Sequence, residues 1–244
     1  TANLLEAIRF LDKRCTVVVV TTDKVYENRE TGQSYKEDDK LGGYDPYSAS
    51  KAGAEIVVSS YRNSFFNNSS FDQHKKSLAS ARAGNVIGGG DWSPNRIIPD
   101  IIKGIEAGED IVVRNPSSVR PWQFVLEPVG GYLLLGARLN SEPHMFADAW
   151  NFGPFKDDVM NVQQVVEQAV NIYGKGRFVM PSLAGKPHEA GLLNLDIEKS
   201  MSILGWAPKL RTTDAIEYTI DWYKNASPDY YAYTVKQVLK YTEK

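Results

Sequence analysis

The chain has almost no cysteine and no long apolar run. Cys15 is the single cysteine among 244 residues, which excludes an internal disulfide and is typical of a reducing, cytoplasmic setting. Because Cys15 lies beside a predicted strand, we interpret it as a small buried hydrophobe rather than a nucleophile. No apolar run approaches the roughly 20 residues of a membrane helix, so a membrane-spanning protein is not expected.

An excess of charge of one sign is also missing. Lys and Arg number 28 and Asp and Glu number 30, which gives a formal net charge of −2. Such a balance gives no reason to expect nucleic acid or an acidic membrane as a partner. The length allows one large domain or a domain with a small appendage.

A short β-branched run, Val17 to Val20, is typical of a parallel strand that is buried on both faces. In open α/β sheets, ligands bind beyond the carboxyl ends of the strands. Thr22, Asp23 and Lys24, which follow this run, are therefore expected at the edge of a binding crevice. Taken alone, Asp23 and Lys24 are also typical of a charge pair in a loop, which is the commoner situation.

A helix is predicted to begin after Asp45 and to end near Phe65. Asp45 suits the N-cap, and Pro46 suits the first helical position. Tyr47 and Lys51 lie four residues apart and share one helical face. A phenol is a poor base at neutral pH because its ordinary pKa is about 10, and a nearby cation lowers that pKa. The pair can thus take a proton from a hydroxyl, although the spacing alone is equally typical of a solvated helix pair.

Strands alternate with helices through the rest of the chain, which predicts a mostly parallel sheet with helices on its faces. Short strands become denser after residue 110, which predicts a smaller second lobe. The main predicted strands are 16–21, 77–83 and 149–152, and the main predicted helices are 1–13, 46–65, 95–107, 128–139, 162–173 and 213–224.

Several stretches together resemble the extended short-chain dehydrogenase/reductase family, and within it the CDP-glucose 4,6-dehydratases. They extend over residues 1 to about 225 and are Thr22–Lys24, Pro46–Lys51, Arg82–Trp92, Arg96–Asp100, Arg114–Pro116, Arg120–Gln123, Leu126–Pro128, Asn151–Pro154 and His188–Ala190. Related hexose dehydratases usually carry Glu where Lys24 stands, and the resemblance implies that Lys is typical of the CDP-glucose branch. This difference leaves the base that acts at carbon 5 of the sugar open.

The resemblance implies an α/β fold: the C-terminal part of a Rossmann-type doubly wound parallel sheet, with a smaller α+β substrate lobe. Residues 1–92 would be the remainder of an NAD-binding domain, and 93–225 the substrate lobe, with about 120–153 returning to the sheet. Residues 226–244 would form a helical, weakly packed tail. The glycine-rich turn that binds the dinucleotide in this family is missing, so we expect a fragment that neither holds NAD nor turns over alone.

The implied activity converts CDP-glucose to CDP-4-keto-6-deoxyglucose and water, with transient reduction of NAD. Tyr47, assisted by Thr22, would remove the proton of the 4-hydroxyl. Asp23 would protonate the departing 6-hydroxyl, and Lys24 is a further catalytic candidate. Lys51 would hold the nicotinamide ribose. The cofactor-binding candidates are Thr21, Tyr47, Lys51 and Arg82, and no metal ligand is implied.

The substrate-binding candidates are Asn85, Arg96, Arg120, His188 and Glu189. Arginine suits bidentate contacts to a diphosphate, while Asn85 would contact the sugar or the diphosphate. Taken alone, Arg120 is also typical of a surface residue, and His188 and Glu189 of a loop. Members of the family usually pair through two long helices, so a homodimer or tetramer is expected.

Two other functions remain open. The first is another epimerase or dehydratase of the family, acting on a dTDP- or UDP-sugar; an epimerase loses no water and needs no acid at Asp23. The second is a non-catalytic relic that binds nucleotide sugars. The intact set Thr22, Asp23, Tyr47 and Lys51 favours an enzyme over a relic.

Overall fold

The computed structural model describes residues 1–29, 32–181 and 193–244. Its strands are β1 (Cys15–Val20), β2 (Ser34–Tyr35), β3 (Lys76–Ala83), β4 (Val86–Ile87), β5 (Asp110–Val112), β6 (Val119–Arg120), β7 (Gln123–Phe124), β8 (Ala149–Phe152), β9 (Met160–Asn161), β10 (Arg177–Val179) and β11 (Asn194–Leu195). Its helices are α1 (Ala2–Arg9), α2 (Pro46–Ser64), α3 (Phe71–His74), α4 (Ile97–Ala107), α5 (Leu126–Ser141), α6 (Pro143–Phe146), α7 (Val162–Tyr173), α8 (Thr212–Asn225) and α9 (Tyr230–Thr242).

The chain divides into two compact units. Unit 1 consists of Thr1–Gly84, Pro128–Gly153 and Asn194–Ala207, and unit 2 consists of Asn85–Glu127, Pro154–Leu193 and Pro208–Lys244. The domain boundaries predicted from the sequence, near residues 92 and 225, stay a prediction.

Unit 1 is built on a parallel sheet in the order β1–β3–β8. All eight residues of β3 are buried, as expected for a central strand whose two faces are covered. Leu5 of α1, Val58 of α2 and Leu78 of β3 form an apolar cluster in this unit. The predicted α/β class with a parallel sheet is therefore confirmed.

Strand β1 differs from its predicted environment. Its residues are only partly buried, and Val20 is 46% exposed. The prediction of burial on both faces was wrong for β1, because within the described residues it is an edge strand with one neighbour, β3. An apolar β-branched run favours a strand, but the neighbouring elements decide how much of it is buried. Helix α1 is also shorter than predicted and ends at Arg9.

Unit 2 combines short strand pairs with helices. The pairs β4–β7 and β5–β10 are parallel, and β6–β9 is antiparallel. Helices α4, α7 and α8 contribute the fully buried residues Ile101, Val165 and Ile216 to a single apolar core. The residues of this core come from positions that lie more than a hundred residues apart in the sequence.

The C-terminal segment is helical, as predicted. Helix α9 contacts α8, and its residues Gln237 and Tyr241 are buried. Tyr241 belongs to the core of unit 2 and lies against Phe124, with ring centres 6.2 Å apart. Most other residues of α9 are exposed, so two buried side chains attach a helix that is otherwise weakly packed. Among the residues with described placement, no helix is both long and apolar enough to cross a membrane.

Candidate active site

The chain after β1 makes a tight turn that holds a hydroxyl against a carboxyl group. Thr22 caps a one-turn 3-10 helix over Asp23–Val25. Its Oγ1 donates a hydrogen bond to Oδ1 of Asp23 at 2.9 Å and accepts one from the backbone N–H of Lys24 at 3.4 Å. Thr22 and Asp23 are 8% and 3% exposed, whereas Lys24 is exposed. The turn therefore buries the Asp23 carboxyl group and leaves the Lys24 side chain exposed to solvent.

The start of α2 is fixed by Asp45, as the sequence predicts. The Asp45 carboxylate accepts hydrogen bonds from the backbone N–H groups of Tyr47 at 2.9 Å and Ser48 at 3.1 Å, and Pro46 occupies the first turn. Hydrogen bonds from Ser48, with a smaller contribution from the charge of Lys24, hold the pKa of Asp45 below its ordinary value. The cap thus orients the first turn of the helix, where Tyr47 lies.

Tyr47 and Lys51 present open polar groups on α2. Tyr47 is 51% exposed, and Nζ of Lys51 lies 6.0 Å from the centre of the Tyr47 ring. Within residues 1–29, 32–181 and 193–244, neither the Tyr47 hydroxyl nor the Lys51 ammonium group has a hydrogen-bond or ion-pair partner. The Asp23–Val25 turn packs against α2. The structure therefore brings the Thr22–Asp23 pair and the Tyr47–Lys51 helix together within unit 1.

Glu55 is a residue of this region that the sequence reasoning missed. It is 3% exposed and accepts hydrogen bonds from Oγ1 of Thr21 at 2.5 Å and Oγ of Ser80 at 2.7 Å. It also forms an ion pair with Arg82 at 2.9 Å. Burial alone raises the pKa of Glu55, but the hydrogen bond and charge of Arg82, with the two hydroxyls, outweigh it and hold that pKa below its ordinary value. A lone carboxylate inside the apolar stretch 54–58 is the signal that could have revealed it.

Arg82 continues the network towards β8. Its Nη1 donates hydrogen bonds to the Tyr26 hydroxyl and to the Glu37 carbonyl, each at 2.9 Å. The Tyr26 hydroxyl donates in turn to Oδ1 of Asn151 at 2.7 Å, and the Asn151 amide donates to two backbone carbonyls. Burial raises the pKa of Tyr26 despite the nearby Arg82, so its phenol stays protonated and acts as a donor. These buried groups form one hydrogen-bond network that joins Glu55 to β8.

Two predicted cofactor-binding residues belong to this network. The side chains of Thr21 and Arg82 are both buried and both bind Glu55. The structure thus gives each of them a supporting contact inside unit 1. A direct contact of either residue with a cofactor stays a prediction.

Three predicted substrate-binding residues lie in unit 2. Asn85 is partly buried, and its carbonyl accepts a strand hydrogen bond at 2.9 Å. The Arg96 side chain is 64% exposed, with Nη1 3.8 Å from the Asp91 carboxylate. Arg120 is only 7% exposed and donates from Nη1 to a neighbouring carbonyl at 3.0 Å, so it is not a surface residue. Their contact with substrate stays a prediction.

The remaining predicted site residues, His188 and Glu189, lie outside the described residues. Across the part of the chain that the structure describes, no group of three or more His, Cys, Asp and Glu residues could hold a metal ion.

Comparisons with known proteins support one family. Residues 1–219 match the family model described as GDP-mannose 4,6 dehydratase. The chain is 44% identical over 224 residues to CDP-glucose 4,6-dehydratase of Salmonella typhimurium, covering 92% of this chain and 62% of that protein. The chain thus spans about six-tenths of the length of this relative.

Solved structures with low sequence identity share the fold. A UDP-glucuronic acid 4-epimerase from Bacillus cereus, in complex with UDP-glucuronic acid and NAD, matches with a TM-score of 0.75 at 18% identity, covering 91% of this chain and 65% of that chain. A DesIV double mutant, a dTDP-glucose 4,6-dehydratase from Streptomyces venezuelae with NAD bound, matches with a TM-score of 0.74 at 21% identity, covering 92% and 64%. These matches confirm the expected fold.

Proposed function

Because the chain belongs to the family described as GDP-mannose 4,6 dehydratase, we propose that the protein carrying it is an NAD-dependent nucleotide-sugar 4,6-dehydratase that acts on CDP-glucose. The observation that carries this proposal is the packing of the Thr22–Asp23 turn against the helix that presents Tyr47 and Lys51. The similarity to a CDP-glucose 4,6-dehydratase supports the choice of nucleotide.

The residues present fit a nicotinamide nucleotide. The Tyr47 phenol and the Lys51 ammonium group lie one helical turn apart and are unengaged within the described residues, so both can hold ribose hydroxyls. NAD, when bound, would supply an acceptor for the hydride of carbon 4 and a donor of the same hydride to carbon 6, where it would replace the lost hydroxyl as carbon 5 regains a proton. A direct role of Thr21 or Arg82 in holding it belongs to this proposal.

Different side chains carry out the separate proton transfers of the proposed reaction. Tyr47, beside the positive charge of Lys51, accepts the proton of the sugar 4-hydroxyl while Thr22 holds that hydroxyl in place. After the proton on carbon 5 is removed, Asp23 delivers a proton to the 6-hydroxyl, which leaves as water. Lys24 is exposed and its charge acts on Asp45, which supports an ion-pairing role beside the alternative role as the base at carbon 5.

The test follows loss of water from the sugar nucleotide by mass spectrometry and follows the configuration of the sugar by proton NMR. The protein carrying this chain is incubated with NAD⁺ and, in separate reactions, with CDP-, dTDP- and UDP-glucose. We expect loss of one water per sugar, fastest with CDP-glucose, and a rate lowered about 10²- to 10⁴-fold in Asp23→Asn, the cost of losing a general acid. Interconversion of stereoisomers without water loss would identify an epimerase instead. Binding of nucleotide sugars without turnover would favour a non-catalytic protein.

We also propose that the protein acts in the cytoplasm, in deoxysugar biosynthesis for the lipopolysaccharide O-antigen, and that its copies pair through α2. Exposed apolar side chains support the pairing: Leu4 on α1 is 62% exposed and Ile56 on α2 is 60% exposed. Sedimentation velocity should show a dimer or tetramer that Ile56→Lys weakens. A monomer at all concentrations would contradict the pairing.

A further inference from the structure

We propose that Glu55 is a positioning residue: it fixes the distance between the helix that carries Tyr47 and the turn that carries Thr22 and Asp23, and the Thr21 hydroxyl transmits this constraint. The inference rests on the proposed dehydratase function. It assigns the buried network a part in the reaction beyond stability.

Glu55 lies on the same helical face as Tyr47 and Lys51. Glu55 lies one turn after Lys51 and two turns after Tyr47 on α2, and residues spaced by four share a face of a helix. The Glu55 carboxylate is buried against the sheet, whereas Tyr47 is half exposed. Any shift of the Glu55 anchor along the sheet therefore moves Tyr47 and Lys51 with it.

Thr21 connects the turn to both β3 and α2. Thr21 directly precedes Thr22, and its backbone N–H donates to the Ala81 carbonyl of β3 at 2.8 Å. Its hydroxyl donates to Glu55 at 2.5 Å. The residue from which the turn starts is thus tied to β3 by its backbone and to α2 by its side chain. On the other oxygen of Glu55, Ser80 and Arg82 hold the carboxylate from β3.

Removal of the proton of the sugar 4-hydroxyl depends on how Thr22 and Tyr47 are placed relative to each other. Thr22 and Tyr47 must reach the same sugar hydroxyl, and they stand on different elements. Proton transfer requires the partners within hydrogen-bond reach, and a misplacement of about 1 Å can cost about a hundredfold in rate. The Glu55–Thr21 contact is the described side-chain bond that joins the two elements directly beside the turn. Its loss should therefore affect the chemical step more than substrate binding.

A substitution of Glu55 itself cannot distinguish a positioning role from a role in stability. Glu55→Gln leaves Arg82 as a buried charge without its counter-ion, which is strongly destabilising, and unfolding would also abolish activity. Thr21→Val removes one hydroxyl, keeps the side-chain shape and leaves the Glu55–Arg82 pair intact. Ser80→Ala is the matched control, because Ser80 is fully buried and donates to the same carboxylate but does not connect it to the turn.

The experiment measures kcat, KM for CDP-glucose, the Kd of NAD⁺ and the melting temperature for the wild type, Thr21→Val and Ser80→Ala. Thr21→Ser, which keeps the hydroxyl, is the rescue variant. We expect Thr21→Val to lower kcat about ten- to a hundredfold even at saturating NAD⁺, with KM for CDP-glucose changed less than about twofold. The Kd of NAD⁺ reports separately on the direct contact proposed between Thr21 and the cofactor. Ser80→Ala should lower the melting temperature similarly but keep kcat, and Thr21→Ser should restore kcat. Amide hydrogen exchange at residues 22–26 should accelerate in Thr21→Val and not in Ser80→Ala.

Other results would overturn the inference. Equal loss of kcat in Thr21→Val and Ser80→Ala would show that the network only stabilises the fold. Weaker NAD⁺ binding in Thr21→Val, with kcat unchanged at saturating NAD⁺, would assign Thr21 to cofactor binding instead. A wild-type protein that turns over no nucleotide sugar would overturn the proposed function, whereas an active wild type with an equally active Thr21→Val would overturn the positioning role alone.

Discussion

At the scale of the residue, the candidate site combines open and buried polar groups. Tyr47 is half exposed and its hydroxyl is unengaged within the described residues, whereas Glu55 is buried and accepts hydrogen bonds from three different side chains. The open group is available to a substrate, and the buried group is committed to the protein. This division predicts that substitutions at the two positions have different consequences.

Replacement of Tyr47 by Phe tests the open group. We expect Tyr47→Phe to lower kcat about 10²- to 10⁴-fold, the usual contribution of a general base, and to leave stability unchanged because the lost hydroxyl has no partner among the described residues. Steady-state kinetics and thermal unfolding measure the two effects. Tyr231→Phe, at a tyrosine that is 81% exposed on α9, is the control. An equal rate loss in both variants would contradict a catalytic role for Tyr47.

Replacement of Tyr241 by Phe tests a buried hydroxyl outside the site. The Tyr241 hydroxyl donates to Oε2 of Glu127 at 3.0 Å, and both side chains are buried. Loss of a hydrogen bond to a charged group should lower the free energy of unfolding by about 1.5–3 kcal/mol. Urea denaturation gives this value. A change no larger than that of Tyr231→Phe would mean that the bond contributes little to the packing of α9.

At the scale of the element, local sequence explains how α2 begins and long-range contacts explain where it lies. Asp45 and Pro46 define its first turn by side-chain capping and a fixed backbone angle. Glu55 attaches the helix to the residue that follows β1 and to β3, through partners 34 and 25 positions away in the sequence. The first feature is visible in a short window of sequence, and the second is not.

The cap of α2 can be removed without touching the buried network. Asp45→Ala should lower the free energy of unfolding by about 1 kcal/mol, the usual cost of losing a side-chain N-cap, and Asp45→Asn should cost less because asparagine also caps. Chemical denaturation gives both values, and Asp38→Ala, at an exposed loop residue, is the control. Equal stability of Asp45→Ala and the wild type would argue against the cap. Because the cap orients Tyr47, Asp45→Ala should also lower kcat.

At the scale of the whole molecule, stability should depend on pH because two buried carboxyl groups have pKa values that are shifted in opposite directions. Burial raises the pKa of Glu127 in unit 2, although hydrogen bonds from Lys209, Leu210 and Tyr241 oppose this effect. A carboxyl group with a raised pKa contributes stability that is full below its unfolded value of 4.5 and is lost as pH rises through its folded value. Glu55 in unit 1 has a lowered pKa, so its contribution is present above 4.5 and is lost as pH falls.

A neutral side chain at position 127 should remove the contribution of Glu127 to the pH dependence of stability. The amide of Glu127→Gln cannot ionise, so this variant does not lose the stability that the wild type loses as Glu127 ionises. The free energy of unfolding of the variant minus that of the wild type should therefore increase as pH rises from about 4 to about 7. Urea denaturation at several pH values measures the difference, and Glu109→Gln, at an exposed position in unit 2, should show no such trend. A constant difference across this range would mean that Glu127 does not titrate differently in the folded protein.

The sequence by itself determined the features that depend on neighbouring residues. The fully buried β3, the extent of α2 with its Asp45 cap, and the Thr22–Lys24 and Tyr47–Lys51 motifs were all readable, because periodicity, capping and motif spacing act over a few positions. The extent of α7 and the strand β8 were also predicted to the residue. These features predicted the fold class, and the resemblance of the motifs to a known family predicted the family that the comparisons show.

Only the tertiary structure decided which residues meet across the chain. The pairing of Glu55 with Arg82 and Thr21, the partial exposure of β1 and the anchoring of Tyr241 in the core of unit 2 all depend on contacts between distant segments. Burial is a property of the neighbours that surround a residue and not of the residue alone. A buried carboxylate inside an apolar helix segment can therefore be noticed in the sequence, but its partners, and hence its role beside the candidate site, require the fold.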